Sequence, residues 1–437
     1  MDISKDTYAQ KSRRSFLQRV GGLGVGGLGL TSFAPILNKE LDLLLQEKSS
    51  RDPEVLAKDE SYWYPVQKAY VQSSHFINLE SGYFSPQSQE VMEAQLRNIQ
   101  MINEQPSFYM RRRQFDEKRA VKMKLAQLAG VSPEEIVITR NTTESLNTVI
   151  LGMKLAPGDE VIMSSQDYGS MLEAFAMRSA RYGSRNVIID LPLIPSSDED
   201  VLDRYEEAIT PRTKAIHVTH MINLTGQILP VRKLADLAHK NGLEIIVDAA
   251  HSFAHLDYKL PELDCDYYGA SLHKWLCAPL GSGILYMKKE NISKLWPLYG
   301  DVNMPSDDIA KFEHIGTHPV STHLTISSAI EFHLAIGAAY KEARLRYLKD
   351  YWIDQVKELP NLIVNTPLSK NRSCALANVG VKGMKPSVLA SKLYDDFRIF
   401  TVAIERDGVQ GIRVTPHLYT RLDQLDQLVA ALKQLAT

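Results

Sequence analysis

The chain has 437 residues, 44% of them apolar and 23% charged, with a formal net charge of −2 at pH 7. That length exceeds one ordinary core and points to two domains. The near-neutral charge offers no basic face for a phosphate backbone and argues against a nucleic-acid partner. The cysteines Cys265, Cys277 and Cys374 are scattered, form neither a disulfide framework nor a CxxC metal pair, and read as small core hydrophobes; no metal site is expected.

In chain order, residues 1–34 read as an address rather than as fold. Lys11-Ser12-Arg13-Arg14-Ser15-Phe16-Leu17-Gln18 resembles the twin-arginine export motif, with Gln18 where lysine is usual. The glycine-rich, mildly apolar stretch from Val20 to Phe33 is too short for a membrane span. Export by the twin-arginine machinery would make the protein periplasmic, or membrane-anchored if Pro35 blocks cleavage after Ala34. Without export it is cytoplasmic. Residues 35–78 are expected to be an N-terminal helical extension.

From Leu79 onward, short apolar strands alternate with amphipathic helices. Strands are expected at 136–139, 160–163, 186–191, 214–219, 243–247, 267–269 and 283–287, and helices at 144–155, 171–182, 198–210 and 231–241. The last two strands have no helix between them, which favours an antiparallel seventh strand. The alternation predicts an α/β domain over 79–320, with a mostly parallel seven-stranded sheet and helices on both faces. Ligands of such sheets sit at the carboxyl ends of the strands. Over 321–437 the register changes to a smaller α+β domain. A long helical stretch runs over 326–359, strands fall at 362–364, 376–381 and 411–414, and helices at 387–397 and 421–435.

The chemistry-bearing residues fall on those strand ends. Arg140-Asn141-Thr142-Thr143-Glu144 combines free amides at a helix start with two hydroxyls, a phosphate cradle or a plain cap. Tyr168 offers a flat ring for stacking. Asn223 precedes Gly226 in a turn and could reach a ring oxygen; His251 stands three residues beyond Asp248. Asp248 ends a strand, and Ser271-Leu272-His273-Lys274 follows on a later turn. A lysine amine can hold pyridoxal phosphate as a Schiff base, with an aspartate on its protonated pyridine nitrogen. Ser271 and His273 could bind the phosphate from the other side, and Gly316-Thr317 adds a hydroxyl. Arg413 offers a fork for a substrate carboxylate. Arg111, Arg112 and Arg113 read as a solvated charge run. Singly, each residue has an ordinary structural explanation; their order on successive strand ends carries the reading.

With Asn78-Leu79-Glu80-Ser81-Gly82-Tyr83, Asn223-Leu224-Thr225-Gly226, Asp248-Ala249-Ala250-His251 and Ile412-Arg413-Val414-Thr415-Pro416-His417, these motifs make the chain resemble the class V aminotransferase family. This is a group of fold-type I pyridoxal-phosphate enzymes, and the isopenicillin N epimerase-like branch is the nearest. The resemblance spans roughly residues 78–436. It implies Lys274 as the Schiff-base lysine and Asp248 as the pyridinium partner. It implies Thr143, Ser271 and His273, with Thr142 nearby, as phosphate ligands, and Tyr168 as the stacking ring. Asn223 and His251 match positions near the ring oxygen, and Arg413 the carboxylate-binding arginine. Thr317 matches a phosphate contact lent across a homodimer interface. Cysteine desulfurases of the family need a cysteine shortly before the position of Arg413; residues 400–411 have none.

The expected chemistry is at Cα of an amino acid, with Lys274 as general base. Transamination is the first reading, as the commonest outcome for this architecture. Epimerisation follows on the branch resemblance, then C–S or β-elimination. A non-catalytic protein that kept the fold is the last, because Lys274, Asp248 and Arg413 are all present.

Overall fold

A computed structural model describes residues 51–300 and 303–437. The leader and the first part of the extension lie outside the described residues. Helices α1 (Pro53–Leu56) and α2 (Glu60–Lys68) open the described chain, each capped by an aspartate side chain, Asp52 and Asp59. The extension then leaves the helical state: β1 (Ile77–Asn78) pairs in parallel with β11 (Ile399–Phe400), near the far end of the chain. Three helices follow, α3 (Gln89–Glu104), α4 (Pro106–Arg112) and α5 (Gln114–Ala129). Arg111, Arg112 and Arg113 are exposed at the end of α4, as a solvated run should be.

The α/β alternation then unrolls as β2 (Ile136–Thr139), α6 (Thr142–Gly152), β3 (Glu160–Ser164), α7 (Gly169–Tyr182), β4 (Arg185–Ile189), α8 (Glu199–Glu207), β5 (Thr213–Thr219), α9 (Val231–Lys240), β6 (Glu244–Asp248), the short α10 (Leu260–Leu263), β7 (Tyr267–Ser271) and β8 (Gly283–Met287). The seven strands stand in the order β2-β8-β7-β6-β5-β3-β4. β8 is antiparallel to both neighbours, and the other pairings are parallel. Helices cover both faces, so β6 is apolar on both: Ile245, Ile246 and Val247 are fully buried. Burying each contributes about 1.5–3 kcal/mol.

The helical stretch expected over 326–359 is two helices, α11 (Val320–Ile336) and α12 (Ala338–Ile353). Gly337 separates them at φ +89°, a conformation only glycine adopts without strain. α11 packs on α3 and α5. A second sheet, in the order β12-β13-β10-β9, comprises β9 (Leu362–Val364), β10 (Ala377–Val381), β12 (Val402–Arg406) and β13 (Val409–Val414), all antiparallel. Helices α13 (Pro386–Phe397) and α14 (Leu422–Leu435) pack beside it. β11 and β12 lie where no strand is legible in the sequence. Trp352, Ile412, Leu425 and Leu428 form the centre of this second core, which Leu79 also joins.

Among the described residues no helix is long and apolar enough to cross a membrane, and no cluster of His, Cys, Asp or Glu is arranged to hold a metal ion.

Candidate active site

Lys274 lies just past β7, on a turn whose backbone enters the left-handed region at Cys277 (φ +58°). Its amine lies 3.3 Å from His251 Nε2. Trp275 Nε1 donates to His251 Nδ1 across 3.4 Å, which places the proton of a neutral His251 on Nε2, facing the lysine. Burial, with Lys274 and Arg413 nearby, holds His251 well below the usual imidazole range, so the ring stays neutral. Burial also lowers Lys274 to about 8, with Arg413 adding to the effect and Asp248 and Glu80 opposing it. A lysine in that range has about a tenth of its amine deprotonated at pH 7, far more than an ordinary lysine, and is a competent nucleophile and base.

Asp248 closes β6. Its Oδ1 accepts from Ala250 N at 2.9 Å, while its Oδ2 is buried and has no partner. Burial raises this carboxyl above the ordinary aspartate range. On the other side, Thr142 N donates to Ser271 Oγ at 3.0 Å, and the two hydroxyls are 2.7 Å apart, tying the start of α6 to the end of β7. The start of α6 is set by Asn141, whose side chain accepts from Glu144 N at 2.9 Å. Thr143, which follows Thr142, is exposed. His273 Nδ1 donates to Ser282 O at 3.1 Å, which leaves Nε2 for a ligand; burial and Lys274 hold the ring near 4. Asn223 is buried, with Oδ1 unpartnered. Gly226 (φ +79°) closes its turn, and a Cβ there would sit 2.1 Å from Leu376 O.

Lys274, His251 and Asp248 are thus brought together, as are Thr142 and Ser271. Tyr168 is half-buried at the start of α7 and makes no hydrogen bond to Lys274 or Asp248. Thr317 is exposed, and its side chain makes no hydrogen bond among the described residues. Arg413 is fully buried, but its fork is already filled. Glu80 takes Nε at 3.1 Å and Nη2 at 2.9 Å, Asn223 O takes Nη1 at 3.0 Å, and the Tyr83 ring stacks 4.3 Å from the guanidinium. Glu80 and Tyr83 belong to a motif legible in the sequence, but nothing local assigns them to Arg413. Their signal was an acid amid small and apolar residues. The three cysteines are buried, with thiols raised by burial, Cys374 to about 12. None is poised as a thiolate.

The set fits pyridoxal phosphate. The orphaned Asp248 Oδ2 is the acceptor that a protonated pyridine nitrogen needs, Lys274 is a lowered-pKa amine near it, and Thr142 and Ser271 meet at a helix N-terminus.

Known proteins point the same way. Residues 85–404 match the family model described as aminotransferase class V. An isopenicillin N epimerase of Amycolatopsis lactamdurans is 29% identical over 332 residues, covering 72% of this chain and 83% of that one. A probable cysteine desulfurase of Halobacterium salinarum is 30% identical over 336 residues, covering 71% and 78%. A crystal structure of an Escherichia coli cysteine desulfurase superposes with a TM-score of 0.74 at 23% identity, covering 85% of this chain and 98% of that one. That likeness is one of fold: a fold-type I α/β architecture around a seven-stranded, mostly parallel sheet. With the family model spanning most of the chain, this chain belongs to the aminotransferase class V family of pyridoxal-phosphate enzymes.

Proposed function

We propose that the protein is an aminotransferase that removes the Cα proton of an amino acid and passes the amino group to a keto acid. The observation that carries this reading is Lys274 Nζ, 3.3 Å from the neutral His251 and near the unpartnered Asp248. Bound pyridoxal phosphate supplies a sink for the electrons released at Cα. The protein residues do the rest. Asp248 would offer Oδ2 to the ring nitrogen, Thr142, Thr143, Ser271 and His273 would hold the phosphate, and Asn223 would meet the ring oxygen. Lys274 Nζ would take the proton from Cα and carry it to its destination, with His251 Nε2 3.3 Å away to hold the amine in place. The buried, protonated cysteines speak against desulfuration.

Epimerisation is the second reading, favoured by the epimerase relative. The loaded enzyme is incubated with an amino-acid panel in deuterated water, with and without a keto-acid acceptor. Keto-acid product that requires the acceptor supports transamination. Deuterium at Cα with loss of chirality and no acceptor requirement supports epimerisation and sinks the first reading. The enzyme is further proposed to act as a homodimer, in which the exposed Thr317 reaches the partner's phosphate site.

Export is proposed on the motif around Arg13 and Arg14. Changing both to lysine is expected to leave the protein in the cytoplasm; unaltered fractionation of the variant overturns it.

A further inference from the structure

His217 stands on β5, a strand the sequence marks only as apolar core, yet the ring is fully buried and ionisable. Its Nδ1 lies 3.0 Å from Asp167 Oδ2. Asp167, just past β3, is itself buried and gathers further donors from Ser164 N at 2.9 Å, Thr219 N at 3.1 Å and Thr219 Oγ1 at 2.6 Å. To donate to Asp167, His217 must carry a proton on Nδ1. Its other nitrogen, Nε2, is buried without a partner. Phe175 of α7 closes the ring edge-on at 5.5 Å.

The strand register shows what lies on the other side. β5 pairs with β6 in parallel, Thr219 opposite Asp248 and His217 opposite Ile246. Side chains alternate faces with period two, so His217, Thr219 and Asp248 share one face of the sheet. β3 and β6 are the two neighbours of β5. His217 therefore has Asp167 on one flank and, diagonally along the face, Asp248 on the other, within side-chain reach. Two buried orphans of complementary kind thus stand on adjacent strands: an imidazole nitrogen and the carboxylate oxygen Asp248 Oδ2. The groups of ionisable type around His217 are Asp167, Asp248 and, beyond them, Lys274, which also acts on Asp248.

We infer that His217, held as an imidazolium by Asp167, is a positioning residue that keeps Asp248 ionised for the ring nitrogen of the cofactor. The inference rests on the pyridoxal-phosphate reading of the site. Burial alone would drive Asp248 toward the neutral acid, which cannot hold a pyridinium, and a cation beside it opposes that. The direction of the His217 shift agrees: burial pulls the ring down, and the charge and hydrogen bond of Asp167 outweigh it, raising it above the ordinary value. Asp248 feels His217 as the largest influence lowering its carboxyl.

The test is nitrogen-15 NMR of wild-type holoenzyme carrying labelled histidine and ring-labelled pyridoxal phosphate. His217 is expected to be protonated on both nitrogens at pH 7, and the cofactor nitrogen to be protonated as well. In His217→Asn, which keeps a donor for Asp167 but no charge, the midpoint for loss of the ring-nitrogen proton is expected to fall by about one to two pH units. Borohydride reduction should still link the cofactor to Lys274 in both proteins. A neutral His217 in the wild type, which needs no variant to fold, overturns the inference. So does an unmoved midpoint in His217→Asn. Neither touches the cofactor reading while Lys274 is labelled; an unlabelled Lys274 in loaded wild type removes both.

Discussion

Lys274→Ala protein, incubated with pyridoxal phosphate and reduced with borohydride, is expected to carry no covalent cofactor, and its turnover should fall at least 10²–10⁴-fold. The loss is large because one amine serves as both the attachment point and the base. The molecule contains its own control. Lys341 is also buried and lowered by burial to about 8, but its amine donates to Trp275 O. It should stay unlabelled in wild type and variant alike. Mass spectrometry that finds the label on Lys341, or finds Lys274 of the wild type unlabelled, would overturn the site. The pH dependence has a definite sign. The Lys274 amine is lowered, so its reactive, deprotonated form grows as pH rises toward about 8. Reconstitution of apoprotein should quicken from pH 6 to about 8 and level off above. A rate still climbing steeply past pH 10, where an ordinary lysine titrates, would show that burial does not tune this group.

Disruption of the Glu80–Arg413 pair should give the second large effect. Both side chains are buried, with their bidentate contact inside the protein. Removing one partner of such a pair leaves an uncompensated charge and costs about 3–5 kcal/mol. Glu80→Ala and Arg413→Ala are each expected to lower thermal stability by several degrees. Replacing both by methionine should recover most of that loss, because the desolvation penalty disappears with the charges. The same pair bears on binding. A substrate carboxylate aimed at Arg413 must share or displace Glu80. Glu80→Gln frees the fork while keeping the shape, so KM for carboxylate substrates should fall by about tenfold, worth about 1.4 kcal/mol, with kcat little changed. Melting curves and steady-state kinetics on the same preparations read both effects. KM unchanged in Glu80→Gln and in Arg413→Lys would make the pair purely structural and take Arg413 out of the substrate site.

Much of the site was legible because its residues follow strand ends closely in sequence. Asp248 ends β6, Ser271 ends β7 and Thr142 opens α6, all within two residues of a boundary that periodicity marks. Lys274 and His251 meet because their strands, β7 and β6, are neighbours in a parallel sheet. What stayed hidden is long-range. Nothing near Glu80 announces that its carboxylate fills the fork of a residue 333 positions away. His217 sits in an apolar strand where a period-two pattern reports burial and cannot report a partner from the β3 end.

Local pattern by itself determined the class of fold, the placement of the seven strands of the main sheet and the candidate positions of Lys274 and Asp248 at strand ends, because hydrophobic period and turn chemistry act over a few residues. The insertion of β8 between β2 and β7, the break at Gly337, the pairing of β1 with β11 and the closure of Arg413 by Glu80 were decided only by tertiary structure. Each of these depends on which distant surfaces come into contact once water has been excluded, and burial is also what lowers the Lys274 amine and leaves Asp248 Oδ2 waiting for a proton donor.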